Sequence, residues 1–235
     1  MHITIHPEYS FLTPFVERLP ICFEQDGEFL YIGRNKLKIM HTDHLDITVK
    51  SFKIPHIINR VAYAFFRPSK AKRSYWNALK LQDKGICTPS PIAYMEEKKK
   101  GLLSRSFYVS LYVCYPGLMR ELRDRSLCEV KDLAEAFAHF TADIHNRQVY
   151  HLDYSPGNIL YKKQERQYSF CLVDTNRMHF DKKVGEKAAA FNLRKLWGNE
   201  EVVLFIAGIY AHDRGFNEEK FKNKVLIYRR RFWKK

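Results

Sequence analysis

The first half of the chain alternates apolar and polar residues with the two-residue period of β-strands. Residues 28–50 form a predicted meander of EFLYI, a GRN turn, LKIM, an HTDH connection and LDITVK. Two further strands are predicted from TPSPIAYMEE (88–97) and SFYVSLYVC (106–114). Turns at 98–101 (KKKG) and 115–117 (YPG) follow them. This half is therefore expected to be rich in strands.

Helical spacing of apolar residues marks two long segments. The first begins at Ser69, which can cap a helix, and ends at Gly85. The segment 54–66 before it, IPHIINRVAYAFF, is ambiguous, and we expect a buried helix there. The second helix begins at a capping-box pattern at 126–129 and keeps the helical period through His145.

The order of these elements predicts an α+β fold with two lobes. A loop, HLDYSPGNIL (151–160), follows the second helix directly, and a short strand, QYSFCLVD (167–174), comes next. Mostly helical, basic sequence follows to the C-terminus. We expect a strand-rich N-terminal lobe with one main helix over 1–114, and a helical C-terminal lobe carrying the loop over 115–235.

Composition adds a charge preference to this picture. A hydrophobic fraction of 46% is that of a globular protein. Forty Lys and Arg against 26 Asp and Glu give a net charge of +14, which favours polyanionic partners. Residues 220–235 carry eight positive charges, no acidic residue and several aromatic residues. Such a segment suits an anionic membrane surface or a nucleic acid, and composition does not separate the two.

The cysteines and the N-terminus favour a cytoplasmic protein. Five cysteines are spread along the chain without a CxxC spacing, which is typical of reduced thiols and argues against a zinc site. The N-terminal residues lack the basic and apolar regions of a secretion signal.

The loop HLDYSPGNIL contains the candidate chemistry. Asp, Asn, Pro and Gly are ordinary turn residues, so the loop could be a turn and nothing more. Its context favours catalysis. A strand of alternating apolar residues ends at Lys50, the loop supplies Asp153 and Asn158, and a second strand ends at Asp174. This is the order of groups used in kinase-type phosphoryl transfer.

Each residue type in this order suits one task. Asp153 would accept the proton of a substrate hydroxyl, and His151 would brace the loop. Asn158 and Asp174 would offer oxygen ligands to Mg²⁺. Lys50 would bind the α- and β-phosphates of ATP, with Lys53 as its competitor for that role. Three residues are expected to contribute to the nucleotide site beside these: Gly33 in the GRN turn, and Val113 and Tyr115 at the connection between the lobes.

HLDYSPGNIL with LVDTNRM, preceded by VKSF and by SKAKRSY…LQDKGICTPSPIAY, resembles the Kdo/heptose lipopolysaccharide kinase family, particularly its short bacterial members. The resemblance covers about residues 28–215 and includes AFNLRKLW and IYAHDRGF. It implies a protein-kinase-like fold, the cofactors ATP and Mg²⁺, and phosphorylation of a sugar hydroxyl of the lipopolysaccharide inner core. The implied partners are a lipopolysaccharide core or glycolipid acceptor and, in peripheral contact, the anionic inner membrane. Nucleic acid is not expected.

The sequence departs from the kinase pattern in three places. Residues 69–82 contain no acidic residue to pair with Lys50, so Glu96, Glu97 or Asp174 would have to do so. Thr-Asn follows Asp174 in place of Phe-Gly, and the turn at Gly33 is poor in glycine. A small atypical protein kinase, an antibiotic phosphotransferase and a nucleotide-binding pseudokinase remain alternatives.

Overall fold

The computed structural model describes residues 1–53, 67–165 and 167–233. By its internal packing the chain divides into two compact units. The N-terminal unit comprises Met1–Asp83 and Thr88–Cys114. The C-terminal unit comprises Lys84–Cys87 and the chain from Tyr115 onward.

Strands form the framework of the N-terminal unit. In its described part they are β1 (His2–Ile5), β2 (Glu28–Ile32), β3 (Lys36–His41), β4 (Asp46–Ser51), β5 (Pro91–Lys99) and β6 (Leu102–Leu111). They pair antiparallel in the order β1-β5-β6-β4-β3-β2. The predicted meander is β2 to β4 and the two later strands are β5 and β6, so these predictions are confirmed. Strand β1 was not predicted.

Helices cover both faces of this sheet. They are α1 (Thr13–Glu17), α2 (Leu19–Gln25) and α3 (Lys70–Asp83). On one face, Ile47 and Val49 of β4 are fully buried in a cluster with Phe23 of α2. On the other face, Tyr75 of α3 forms a cluster with Tyr94 of β5 and with Phe52, which follows β4 directly. The alternation along β4 thus sends its apolar residues to α2 and its remaining positions, including Lys50, to the α3 side.

The termini of α3 follow the sequence signals. The Ser69 hydroxyl oxygen accepts a hydrogen bond from the Lys72 N–H at 3.1 Å, which caps the first turn. Gly85 follows the last turn with φ of +67°, a conformation that glycine adopts without strain. The helix expected at 54–66 lies outside the described residues.

Helices form most of the C-terminal unit: α4 (Leu127–Asn146), α5 (Glu186–Leu193), α6 (Glu200–Asp213) and α7 (Glu218–Trp233). Short strands accompany them: β7 (Gly117–Leu118), β8 (Val149–His151), β9 (Ile159–Gln164), β10 (Gln167–Leu172) and β11 (Met178–Phe180). Strand β9 pairs with β7 and β10, and β8 pairs with β11. The predicted capping box is present, because the Ser126 N–H donates to Glu129 Oε2 at 2.8 Å.

Several basic side chains of α7 form ion pairs or hydrogen bonds with other residues of the C-terminal unit. Lys224 pairs with Glu186 at 2.5 Å, and the Arg229 guanidinium donates to the Gly198 carbonyl at 2.5 Å. The side chains of Ile227 and Trp233 are about half exposed. Within the described residues, no helix is long and apolar enough to span a membrane.

Candidate active site

The loop after β8 is held by a buried histidine. His151 Nδ1 accepts a hydrogen bond from the Asp153 N–H at 3.0 Å, and its Nε2 donates to the Val173 carbonyl at 3.2 Å. Burial lowers the pKa of His151, so the ring is neutral with its proton on Nε2. His151 therefore braces the loop against the residue that precedes Asp174, as expected.

Asn158 ties the two ends of the loop together. Its Nδ2 donates to the Asp153 carbonyl at 2.9 Å, and its own carbonyl accepts from the Val173 N–H at 3.0 Å. Because Nδ2 is committed to the loop, the side-chain oxygen is the atom that Asn158 can offer to a cation. The structure thus brings Asp153, Asn158 and the Asp174 segment together within one unit.

Asp174 has an unusual backbone conformation for a non-glycine residue. Its φ is +57°, in the left-handed region where Asp and Asn are over-represented. Its Oδ1 accepts a short hydrogen bond from Asn176 Nδ2. A carboxylate oxygen from Asp174 and an amide oxygen from Asn158 are hard donors of the kind that Mg²⁺ takes together with substrate phosphates. These residues fit a magnesium site completed by a nucleotide.

Asp153 forms a short ion pair with Lys195, a residue to which the sequence analysis gave no role. The two side chains are 34% and 19% exposed, so the pair is accessible to a substrate yet partly desolvated. Lys195 lies within AFNLRKLW, just after α5. In the sequence, Lys195 is marked only as one of two adjacent basic residues at 194–195. No local pattern connects this pair to Asp153, which lies 42 residues earlier in the chain.

A series of hydrogen bonds, here called the relay, connects α6 to the first residue of the same loop. The guanidinium of Arg214 donates to the Tyr210 hydroxyl at 2.6 Å, and that hydroxyl donates to His145 Nδ1 at 2.8 Å. His145 Nε2 donates to Asn192 Oδ1 at 3.2 Å. Asn192 Nδ2 then donates to the His151 carbonyl at 2.9 Å. The relay extends from α6 to the end of β8 through side chains that are mostly buried.

We expect the relay to make the protein sensitive to acid. Burial lowers the pKa of His145 from 6.5 to about 3, so its imidazole is neutral in the folded protein. The unfolded state therefore binds one more proton between these two values. The contribution of His145 to the free energy of unfolding is therefore fully present above pH 6.5. Between pH 6.5 and about 3 this contribution falls by about 1.4 kcal/mol per pH unit.

Urea unfolding at pH 7.5, 6.5 and 5.5 measures this loss. His145→Gln should flatten the profile relative to the unmodified protein. His212→Gln is the matched control, because the His212 side chain is 88% exposed and should leave the profile as it is. Equal slopes in all three proteins would contradict the assignment.

The Pro-Gly step of the loop allows a close approach by an arginine. A Cβ atom at Gly157 would lie 2.4 Å from Arg120 Nη2, and two other guanidinium atoms would also be within 3.0 Å. The Arg120 guanidinium also lies over the Trp197 ring at 5.7 Å. Glycine at 157 therefore lets a stacked cation lie against the turn, which a side chain there would displace.

Lys50 lies in the N-terminal unit, half-buried near the end of β4. Its ammonium is 5.5 Å from the centroid of the Phe52 ring, on the α3 side of the sheet. Its competitor Lys53 is exposed and lies beyond the strand. These observations favour Lys50 for the phosphate-binding role.

The only acidic residue of α3 is Asp83 at its last position, so the acidic partner usual in kinases is absent from the rest of the helix. In the middle of α3, Ser74 and Tyr75 are buried, and Tyr75 belongs to the same cluster as Phe52. Glu97 pairs with Arg105 at 2.6 Å, and that arginine also donates to the Pro20 carbonyl of α2. Glu97 therefore faces α2 and points away from Lys50.

Three other residues are assigned to the nucleotide. Two of them lie in the N-terminal unit, and the third lies in the C-terminal unit. Gly33 is exposed in the turn between β2 and β3, and Val113 is half-buried after β6. The Tyr115 hydroxyl lies 3.3 Å from Cys87 Sγ within the C-terminal unit. Hydrogen bonds from Cys171 and then Tyr115 lower the pKa of the Cys87 thiol to about 6, against the effect of burial.

The sequence model of the lipopolysaccharide kinase (Kdo/WaaP) family matches residues 51–203. The chain belongs to this family. The matched segment includes Asp153, Asn158, Asp174 and Lys195, and it begins one residue after Lys50. The protein is thus a kinase of lipopolysaccharide biosynthesis, a phosphotransferase that acts on sugar hydroxyls of lipopolysaccharide.

Solved structures confirm the kinase-like fold. A structure described as WaaP in complex with acyl carrier protein has a TM-score of 0.62 at 14% identity, covering 98% of this chain and 97% of that one. The Rio2 kinase–ADP/Mg²⁺–phosphoaspartate complex from Chaetomium thermophilum has a TM-score of 0.50 at 15% identity, covering 94% and 67%. No curated protein matches the sequence. At these identities the structural likeness concerns the fold alone.

Proposed function

We propose that this lipopolysaccharide kinase transfers the γ-phosphate of ATP to a hydroxyl of Kdo or heptose in the inner core. The observation that carries the proposal is the loop assembly itself. Asp153, Asn158 and the segment of Asp174 are joined by hydrogen bonds through His151 and Val173, inside the segment that matches the family.

In this proposal the acceptor hydroxyl donates a hydrogen bond to the Asp153 carboxylate. Its oxygen attacks the γ-phosphorus, its proton passes to Asp153, and the bond to the departing ADP oxygen breaks. Asn158 and Asp174 would hold Mg²⁺, which neutralises phosphate charge when bound. Lys50, Gly33, Val113 and Tyr115 would bind the nucleotide, and the division into lobes 1–114 and 115–235 remains part of the proposal.

Lys195 has a supporting role in this mechanism. Its ammonium donates to the Asp153 carboxylate and orients it toward the acceptor hydroxyl. We expect Lys195→Met to lower kcat by roughly 10²–10³-fold, the usual cost of removing one such donor. Lys195→Arg should recover part of the loss because the charge is retained.

A double substitution tests whether Lys195 acts through Asp153. If it does, Asp153→Asn/Lys195→Met should be no slower than Asp153→Asn alone, since the two residues work as a unit. Lys131→Met, on the exposed face of α4, serves as the control for loss of a lysine. Fully multiplicative losses would show that Lys195 acts independently of Asp153.

The acceptor is tested by incubating the purified protein with γ-labelled ATP, Mg²⁺ and purified inner-core acceptors. One acceptor carries lipid A with Kdo only, and a second also carries heptose. Label on the first indicates a Kdo kinase, and label on the second alone indicates a heptose kinase. If neither is labelled while a protein substrate is, the sugar assignment is wrong.

A peripheral location at an anionic membrane surface is part of the proposal. On α7, the exposed Ile227 and Trp233 flank Arg230 and Arg231, a combination that suits the interface between lipid headgroups and acyl chains. Sedimentation with vesicles containing anionic phospholipid, compared with neutral vesicles, would measure this contact.

A further inference from the structure

A large cavity opens beside the catalytic loop of the C-terminal unit. Its volume is about 810 Å³, enough to hold a ligand of several sugar or acyl groups. Leu152 lines it, and this residue directly precedes Asp153. A ligand in the cavity would therefore contact the residue that precedes the proposed proton acceptor in the chain.

One part of the cavity wall is strongly cationic. Lys182, Lys183 and Lys187 line it with exposed side chains. Glu186 also lines it, but its carboxylate is paired with Lys224. In the described part of the chain no carboxylate pairs with any of the three lysines. Their charge is available to a ligand.

Another part of the wall is aromatic. Tyr150, Phe191 and Tyr228 line the cavity, and the rings of Phe191 and Tyr228 meet edge to face at 5.5 Å. Phe191 is 44% exposed, and the Arg194 guanidinium lies over its ring at 3.4 Å, so the cavity is lined by the part of the ring that Arg194 leaves open. Exposed aromatic faces of this kind accept sugar rings and hydrocarbon chains.

We propose that this cavity binds the acceptor and selects an amphiphile with an anionic group, a carboxylate or a phosphate, close to the hydroxyl that reacts. The lysines bind the anion, the aromatic wall contacts the apolar or sugar portion, and Leu152 connects the cavity to Asp153, the next residue in the chain. The proposal rests on the proposed function for the reaction, whereas the binding of the anion can be measured without turnover.

The test compares two triple variants with the same change in net charge. Lys182→Glu/Lys183→Glu/Lys187→Glu alters the cavity, and Lys98→Glu/Lys99→Glu/Lys100→Glu alters the exposed end of β5 and the first residue of the turn that follows it. Binding of lipid A carrying Kdo is measured calorimetrically in detergent micelles, with Asp153→Asn present in each protein to prevent turnover. We expect the cavity variant to raise the acceptor Kd at least 10-fold and the turn variant to change it less than twofold.

Modified acceptors identify the anion. Loss of affinity on esterifying the Kdo carboxylate indicates the carboxylate, and loss on removing the lipid A phosphates indicates a phosphate. An unchanged Kd in the cavity variant, or an equal rise in the turn variant, would overturn the proposal. Lysine-dependent binding without phosphorylation by the unmodified protein would instead leave the site standing and refute the proposed reaction.

Discussion

Asp153→Asn should lower kcat by about 10²–10⁴-fold, the usual contribution of a general base. Asparagine has nearly the same shape but cannot take the proton of the acceptor hydroxyl. The backbone N–H that binds His151 and the carbonyl that binds Asn158 are unaffected by the change, so the loop should keep its conformation. Steady-state phosphoryl transfer to the inner-core acceptor measures the effect.

Asp132→Asn is the matched control for this experiment, because Asp132 is exposed on α4. Thermal stabilisation by ATP and Mg²⁺ should be the same in both variants, since Asp153 is not assigned to the nucleotide. Retention of more than a tenth of the activity by Asp153→Asn would remove Asp153 from the proposed role.

Asp174→Asn is expected to have the second large effect. Losing the carboxylate weakens the site proposed for Mg²⁺, and we expect kcat to fall by roughly 10²–10³-fold, as when a charge-stabilising group is removed from an active site. The stabilisation of the protein by ATP with Mg²⁺ should be largely lost as well. Asparagine tolerates the positive φ at this position, so the substitution isolates the charge from the backbone conformation.

Asp181 offers a control with the same backbone conformation. Its φ is +62°, and its carboxylate pairs with Lys84 at 2.7 Å. Asp181→Asn should lower stability slightly through loss of that exposed pair and leave the response to Mg²⁺ unchanged. If Asp174→Asn still responds to ATP and Mg²⁺ with the original melting shift, Asp174 is not the metal ligand.

Local patterns were sufficient to predict most of the secondary structure. The meander, α3 and α4 each have a residue period, a cap or a turn that acts over a few positions, as Ser69 and the box at 126–129 illustrate. Strand β1 was missed because it is short and depends on pairing with β5, far along the chain. Short strands such as β8 and β11 likewise depend on tertiary pairing.

The candidate site was also predictable only where its residues are close together in the sequence. Asp153 and Asn158 share one loop, so their spacing in the sequence is informative by itself. Asn192 reaches that loop from α5, and Lys195 reaches it from the turn after α5. Arg214 acts on the loop through the side chains of Tyr210, His145 and Asn192. Which side chains of later helices reach an earlier loop depends on how those helices pack, which residue spacing does not encode.

The relay behind the loop carries a consequence for the evolution of this family. Each of its hydrogen bonds has a fixed direction, so a change at one position alters what the neighbouring position must offer. Loss of Asn192, for example, would leave both His145 Nε2 and the His151 carbonyl unsatisfied in a buried setting. Homologues that replace one of Tyr210, His145 or Asn192 are therefore expected to replace a neighbour too, so that these positions covary.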